Sequence, residues 1–509
     1  MTLQLVDTPL GPAPAWPTPR AGGWNPALND AIYPAAGLEP TLERLAKPAA
    51  LVVTTGQQPG WLTGPLYTIH KALSARALAR LLERRWNRPV VPVFWVAGDD
   101  HDFAEASTAS WIGTDGLVMT DSLPPRAPDA PLTPMYREPV PADVAERLAA
   151  LAQAFPASEA RDQTIGWLAR HYRAGASMAA AFGGAIAELL APLGIVCLDS
   201  AHPSVKRAAA PLILESIRRS DALSRILTER AAGLEREGID TAVSVGGGAT
   251  LAFLEGAAGR DRIVRDAAGL LTRRGQERLS DADLERIVRD EPERLSPNVL
   301  LRPVVEAAVL PTVAYLAGPA ELRYLALAGA LYAPLGVIGQ LPEPRWSGAI
   351  VEPKVSRALE KFGVSLPDLL DPKVDLESRI AQAGLPASLT EAFATLRAGI
   401  ETGYERVSAE ISRVDPTLER TAAGARGNAL NGLAELEKRV TQAQKRKESE
   451  SIAQISRARA VVLPRGEPQE RVLAVVSFLG RYGFAMIEEL AAHVDSWYAN
   501  ALEGGPKTV

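Results

Sequence analysis

The stretch Ala49–Trp86, AALVVTTGQQPGWLTGPLYTIHKALSARALARLLERRW, decides the fold. Its first eight residues, Ala49 to Gly56, form an apolar, β-branched run that closes on glycine, the pattern of a buried strand. From Pro65 a helical pattern takes over. Leu66, Ile69, Leu73, Ala77 and Leu81 recur at spacings of three and four, which places them on one face. The loop between strand and helix carries Gly56, Gly60 and Gly64, yet matches neither the GxGxxG of a dinucleotide fold nor the GxxxxGK[ST] of a P-loop.

The same strand-then-helix pattern recurs. PVVPVFWVAG, Pro89 to Gly98, runs straight into DDHDFAEA, and GIVCLDSAHP, Gly194 to Pro203, again ends in acid and histidine after an apolar run. These repeats predict an α/β fold built on a doubly wound parallel sheet, whose ligands sit at the carboxyl ends of the strands. The Gly56–Gly64 loop and the Asp99–Asp102 cluster then share one edge of the sheet. Glycines there let backbone N–H groups approach an anion at the start of the next helix, and Gln57, Gln58 and Thr63 add neutral hydrogen-bonding groups. Lys71, two turns into that helix, reaches the anion only if it faces it. The alternative is a tight connection whose glycines serve packing.

GDDHDF, Gly98 to Phe103, is the sharper signal, because three carboxylates beside a histidine repel unless a cation, a substrate amine or a proton compensates them. His101 is a candidate general base on an amine, or a group that stabilises a transferring phosphate. Asp99, Asp100 or Asp102 would orient it or hold magnesium. The alternative is a solvated acidic loop that caps the following helix.

Composition bounds the remaining choices. The chain has 509 residues, 47% of them hydrophobic, so two or three units are expected. A net charge of −5 offers no global basic field for nucleic acid. The single cysteine, Cys197, excludes an internal disulfide and any cysteine-based zinc cluster; mid-strand, it reads as a buried apolar residue. The first twenty residues lack a secretory pattern, and no run of eighteen apolar residues is free of charge, so a cytoplasmic protein with no membrane partner is expected. His202, after Asp199 and Ser200, has no G-x-S-x-G elbow beside it and does not make a hydrolase triad. VGGGATLAF, Val245 to Phe253, reads as a hairpin or strand connection, with a further glycine turn near substrate as the alternative. DSLPPRAPDAPLTP, from Asp121, reads as a surface excursion.

In the C-terminal third, Ile411, Val414, Leu418, Ala422, Ala425, Ala429, Leu433, Leu436, Val440 and Ala443 step by three or four, close to a heptad seam. Asp415 and Pro416 interrupt it as an N-cap followed by a first-turn proline, so one helix ends near Arg413 and a second begins there. The result is an antiparallel hairpin. Its surplus apolar face would meet a second copy to give a homodimer, or else the arm is solitary and solvated. The run Lys445, Arg446, Lys447 reads as a solvated helix face. Pro464 and Gly466 end the arm, and a last amphipathic helix from about Pro468 to Leu502 is expected to pack on the core. The organisation expected is a core over 1–385, a helical arm over 386–462 and a returning C-terminal helix over 463–509.

Taken together, TTGQQPGWLTGPLYTIHKA, PVVPVFWVAGDDHDFAEA, SPNVLLRPVVEAAVLPTVAYLAGPAEL (from Ser296) and KRKESESIAQISRARAVVLPRGEPQERVLAVVSFLGRYG (from Lys445) resemble, in order, the cysteine ligase family of bacillithiol biosynthesis, BshC. That resemblance implies a Rossmann-like core with smaller connecting elements, a coiled coil used in dimerisation, and association with a nucleotide. It implies the joining of the carboxyl of cysteine to the amine of glucosaminyl-malate, with ATP as the expected driver and magnesium as the candidate metal. The matching positions are Thr55, Gly56, Gln57, Gln58, Gly64, Pro65, Tyr67 and Lys71; Gly98, Asp100, His101 and Asp102; and Ser296, Asn298, Arg302, Pro303, Gly318, Pro319 and Glu321. By the same resemblance His101, Asp100 and Asp102 are candidate catalytic residues. Gln57, Gln58, Tyr67, Asn298, Arg302 and Glu321 are candidates for the substrates, and Thr55, Gly56, Gly64 and Lys71 for an anion or nucleotide. Arg302 suits the malyl carboxylate and Glu321 the amine, unless the two form a structural ion pair. The chain departs from the family pattern at Ala320 and over Leu327, Ala328 and Gly329, where the family carries glycine and polar residues. A different amine, or a dimeric nucleotide-binding scaffold without ligase chemistry, is the second reading.

Overall fold

The computed structural model describes residues 3–504 apart from 242 and 244–247. The chain divides into two units, Leu5–Ala349 with Gln469–Val509, and Met1–Gln4 with Ile350–Pro468.

The first unit is built on a five-stranded, wholly parallel sheet. Its strands are β1 (Leu51–Gln57), β2 (Val90–Val96), β3 (Val196–Asp199), β4 (Thr312–Ala317) and β5 (Leu341–Pro344). They lie in the order β5-β4-β1-β2-β3, which is the doubly wound order with its switch point between β1 and β4. All seven residues of β2 are buried, as expected for a strand covered on both faces. β4, TVAYLA, and β5, LPEP, carry no alternation that marks them as strands in the sequence.

Helix α1 (Tyr67–Trp86) follows β1. The predicted stripe of Leu66, Ile69, Leu73, Ala77 and Leu81 is buried. So is much of the opposite side, Ala75, Leu78, Ala79 and Leu82, because the helix Ala485–Glu503 covers it. The C-terminal segment does return to this unit, but not as one helix. It is broken into Gln469–Val472, Val476–Tyr482 and Ala485–Glu503, with Gly483 turning at φ 74°. An antiparallel five-stranded sheet of Ala249–Gly256, Gly259–Asp266, Gly269–Thr272, Arg278–Leu279 and Leu295–Pro297 is inserted between β3 and β4. The glycine turn expected at Val245–Gly247 lies outside the described residues; from Ala249 to Phe253 the segment is strand.

In the second unit, helices Ala387–Val414 and Glu419–Lys447 form the expected hairpin. Asp415 Oδ1 accepts from Thr417 N at 2.9 Å and Pro416 opens the connecting turn. Arg397 Nη2 pairs with Glu437 across the hairpin at 2.6 Å. The seam is narrower than the heptad reading: Ala422 and Leu433 are buried, whereas Val414, Leu418 and Leu436 are exposed. A straight helix drifts relative to a seven-residue repeat, so an equal-spaced pattern leaves one line of contact. Ser449–Val462 follows and ends before Pro464, where the break was expected.

Candidate functional site

A cavity of about 540 Å³ opens at the carboxyl ends of the parallel strands. Every strand of the sheet delivers to it: Gly56, Gln57 and Gln58 from the end of β1, Asp99–Asp102 after β2, Ser200 after β3, Glu321 after β4 and Arg345 after β5. Four of the inserted residues, Phe253, Arg260, Arg262 and Asn298, complete it, with Arg471 from the C-terminal segment.

The first loop only partly does what its glycines suggested. Gly56 lines the cavity, and a Cβ there would lie 2.9 Å from the Trp95 carbonyl oxygen, so close strand packing requires glycine. Thr55 and Gly64 do not reach the cavity. Thr55 Oγ1 donates to the Leu316 carbonyl at 2.8 Å inside the sheet. Gly64, with φ at 68°, closes a buried turn in which Thr63 N donates to Tyr172 Oη at 2.8 Å and Gly64 N to the Trp61 carbonyl at 3.0 Å. Those N–H groups are spent on the protein itself. Gln58 Nε2, by contrast, is buried with no partner.

Lys71 faces the cavity. Its ammonium reaches Glu321 Oε2 at 2.7 Å, Gln57 Oε1 at 3.2 Å and the Gly56 carbonyl, which accounts for its three donors. Burial pulls the Lys71 pKa down and Glu321 opposes it. For Glu321, burial is outweighed by Lys71, the Gly318 N–H and Arg302, so the carboxyl stays below its ordinary range and the pair is ionised. Lys71 is thus a pivot that ties Glu321 to β1, with no donor left for an anion. Arg302 does not pair with Glu321. It bonds Glu306 Oε2 at 2.9 Å, which is wholly buried, and lies over the Tyr315 ring at 4.8 Å. Asn298 lines the cavity, but its Oδ1 caps Leu300 N and Leu301 N at 3.1 and 2.9 Å. Tyr67 Oη stands 3.4 Å from both Gln57 Nε2 and Glu105 Oε1. Burial, then Asp102 and Asp100, raise the Glu105 pKa.

The acidic cluster is compensated by cations that the sequence did not announce. Lys206, 3% exposed, pairs with Asp99 Oδ1 at 2.6 Å. Asp102 Oδ1 caps the short helix Phe103–Ala106 through Glu105 N at 3.2 Å, as the capping alternative expected, while both Asp100 and Asp102 still face the cavity. Arg260 Nη1 lies 3.0 Å from His101 Nδ1. A guanidinium has no acceptor, so Nδ1 accepts and the proton of neutral His101 sits on Nε2. Burial, followed by the Arg260 charge, lowers the His101 pKa. In this state His101 is a hydrogen-bond donor, since its basic lone pair is engaged by Arg260. That favours the role of stabilising a transferring phosphate over that of general base. Arg260 and Arg262 both lie over the Phe253 ring, at 4.1 and 4.8 Å, and Arg262 forms no ion pair among the described residues.

Residues outside the cavity read as expected. Cys197 is fully buried on β3, with burial pushing its thiol pKa up. His202 caps the helix Pro203–Arg218, its Nδ1 2.8 Å from Ser204 Oγ. Leu327 and Ala328, where the chain departs from the family pattern, are core residues away from the cavity; Ala320 lines it. Among the described residues no group of three or more His, Cys, Asp and Glu is arranged to hold a metal ion, and no helix is long and apolar enough to cross a membrane.

Comparison with known proteins agrees with this architecture. Residues 29–339 match the N-terminal Rossmann-like domain, and residues 348–499 the C-terminal coiled-coil domain, of the bacillithiol biosynthesis family BshC. Similar proteins carrying the name "Putative cysteine ligase BshC" come from Salinibacter ruber (31% identical over 457 residues, 88% of this chain and 82% of the relative) and Chlorobium phaeobacteroides (30% over 466 residues, 89% and 82%). A third, from Koribacter versatilis, is 30% identical over 486 residues, 91% of this chain and 85% of the relative. The doubly wound sheet, the helical hairpin and these matches over both units together place the chain in the BshC family.

Proposed function

We propose that this protein is the ATP-dependent ligase that joins the carboxyl of cysteine to the amine of glucosaminyl-malate, the last step of bacillithiol biosynthesis. The observation that carries the reading is that one cavity gathers both kinds of group. His101 Nε2–H and Arg262 are donors without carboxylate partners, with Arg260 beside His101, and Glu105, Asp100 and Asp102 line the same cavity. Amide formation needs both: donors for the oxyanion that develops at the attacked carbonyl, and carboxylates that attract an ammonium and take its proton.

The fit to ATP rests on the buried unpartnered Nε2 of Gln58 and on the mutual repulsion of Arg262, Arg273 and Arg260, which burial and these neighbours express as a lowered Arg262 pKa. An anion relieves that repulsion. Arg260, Arg262 and Gln58 are the residues assigned to the nucleotide, which would supply the activation that amide formation lacks. Magnesium commonly takes one or two carboxylates plus phosphate oxygens, and Asp100 and Asp102 suit that mode. Arg302 is assigned to a malyl carboxylate and Glu105, with its raised pKa, to the amine. The departures at Leu327 and Ala328 fall in the core and do not argue for another amine. The helical arm is assigned to homodimerisation through its exposed apolar face, and the setting to the cytoplasm.

The test is to incubate the protein with glucosaminyl-malate, cysteine, ATP and magnesium and follow the thiol product by mass spectrometry, with His101→Ala alongside. Product from the wild type and a deep loss in the variant is expected. No product from folded wild type overturns the reading.

A further inference from the structure

Beside the cavity lies a buried charge cluster that the reaction as outlined does not use. Arg345, 3% exposed, pairs with Glu470, 1% exposed, through Nη2 to Oε1 at 2.6 Å and Nη1 to Oε2 at 2.8 Å. The other proton of Nη1 goes to the Trp346 carbonyl at 2.8 Å and Ser347 Oγ at 2.9 Å. His70, fully buried, stands behind Glu470 with Nδ1 2.7 Å from Oε2 and stacks edge-on against Trp346. Burial holds His70 neutral, so Nδ1–H donates to Glu470. Such a cluster is costly to bury, and hydrophobic residues of similar volume commonly serve stability as well.

What the cluster does is aim the guanidinium. A guanidinium carries five N–H donors. The Glu470, Trp346 and Ser347 contacts occupy both protons of Nη1 and one of Nη2. The Nε–H and the second Nη2 proton are left along one edge, the side-on fork that matches a planar carboxylate. Arg345 lines the cavity next to Gly318, at whose position a Cβ would lie 3.6 Å from Nε and 3.5 Å from Glu321 Oε2. Arg302, on the same cavity, is built alike: a guanidinium backed by a wholly buried glutamate, Glu306.

We propose that Arg345 is a second carboxylate-binding fork of this cavity and that Glu470, backed by His70, is the positioning residue that aims it. Two arginines held from behind suit a dicarboxylate. On the ligase reading, on which this identification of the substrate rests, Arg302 and Arg345 take the two carboxylates of the malyl group. The C-terminal segment is then part of the site, since Glu470 arrives from it 125 residues after Arg345.

The test uses the full-length chain with L-malate and inorganic phosphate as calorimetric probes, and Michaelis constants for both substrates in the ligase assay. Arg345→Lys keeps the charge and loses the fork; Glu470→Gln keeps the volume and releases the aim. Each is expected to weaken malate binding about tenfold or more, equivalent to about 1.4 kcal/mol. Phosphate binding and the KM for cysteine stay unchanged, and the KM for the amine substrate rises. A merely structural role would shift both Michaelis constants together. No malate binding by the wild type, unchanged binding in Arg345→Lys, or an equal loss for malate and phosphate overturns the proposal. Should Glu470→Gln not fold, Arg345→Lys decides. Malate effects without ligase product remove the ligase reading and keep the fork; product with an unmoved amine KM does the reverse.

Discussion

Lys71→Met tests whether the Lys71–Glu321 pair holds the cavity floor. The substitution removes an ammonium that is 2% exposed and leaves the Glu321 carboxylate, 21% exposed, without its cation. Breaking a buried pair from one side costs about 3–5 kcal/mol. Here the carboxylate keeps Tyr315 Oη at 2.9 Å and the Gly318 N–H at 2.8 Å and touches solvent, so the expected loss is at the lower end, about 3 kcal/mol. Adding Glu321→Gln removes the stranded charge and should recover at least half. Urea unfolding followed by tryptophan fluorescence isolates the relevant unit, because all nine tryptophans lie within Leu5–Ala349 and Gln469–Val509. The pH dependence has a definite sign. Glu321 is held below its ordinary 4.5 in the fold, so its contribution is present above that value and disappears as pH falls through the lower folded value. The gap between wild type and Lys71→Met should therefore narrow below about pH 4. A single variant within about 1 kcal/mol of wild type, or a double variant no better than the single, would refute the reasoning.

Three further outcomes are expected. With ¹⁵N-labelled histidine, His101 should show the Nε2–H tautomer and titrate below the ordinary 6.5, and Arg260→Gln should raise its pKa; an Nδ1–H tautomer, or titration at or above 6.5, contradicts the donor assignment. Gly56→Ala places a Cβ 2.9 Å from the Trp95 carbonyl and should cost about 1–3 kcal/mol in the same urea assay, a loss that an unchanged midpoint would deny. In the helical arm, Leu396, Val407 and Val414 are exposed and spaced by eleven and seven, hence on one face. Val407→Glu with Val414→Glu should convert a dimer to monomer in sedimentation velocity at unchanged helicity; a persistent dimer excludes that face.

The sequence made the sheet's first three strands legible because each is an apolar run ending in glycine or acid, and burial on both faces leaves that signature. β4 and β5 were hidden for opposite reasons: β4 lies within a continuous apolar stretch shared with the preceding helix, and β5, LPEP, has almost no apolar pattern. The inserted antiparallel sheet was equally hard to see, since GRDRIVRD alternates arginine and aspartate without an apolar face of its own on most positions. Local chemistry exposed Gly56, through its glycine-rich loop, and His101 with the acidic cluster, through residues adjacent in the chain.

What sequence spacing could not supply was the direction in which charged side chains point and the partner each one finds. Lys71 was legible as a cation near a glycine loop, yet only the fold shows its donors consumed by Gly56, Gln57 and Glu321. Asp99 was legible as a repelled carboxylate, yet its cation, Lys206, arrives from the helix after β3. The same holds most strongly for Arg345. Nothing in LPEPRWSG marks it, and its aim depends on a glutamate in a segment that the sequence reads as a plain helix. That helix breaks after Val472, and the short turn so formed brings Glu470 to Arg345 from behind and Arg471 to the cavity rim. A continuous helix from Pro468 to Leu502 could serve packing alone. The interruption is what lets one short segment meet the site at two points, so a substitution that restores helicity across Leu473–Val475 should disturb the cavity's arginines before it disturbs the packing of Ala485–Glu503 on α1.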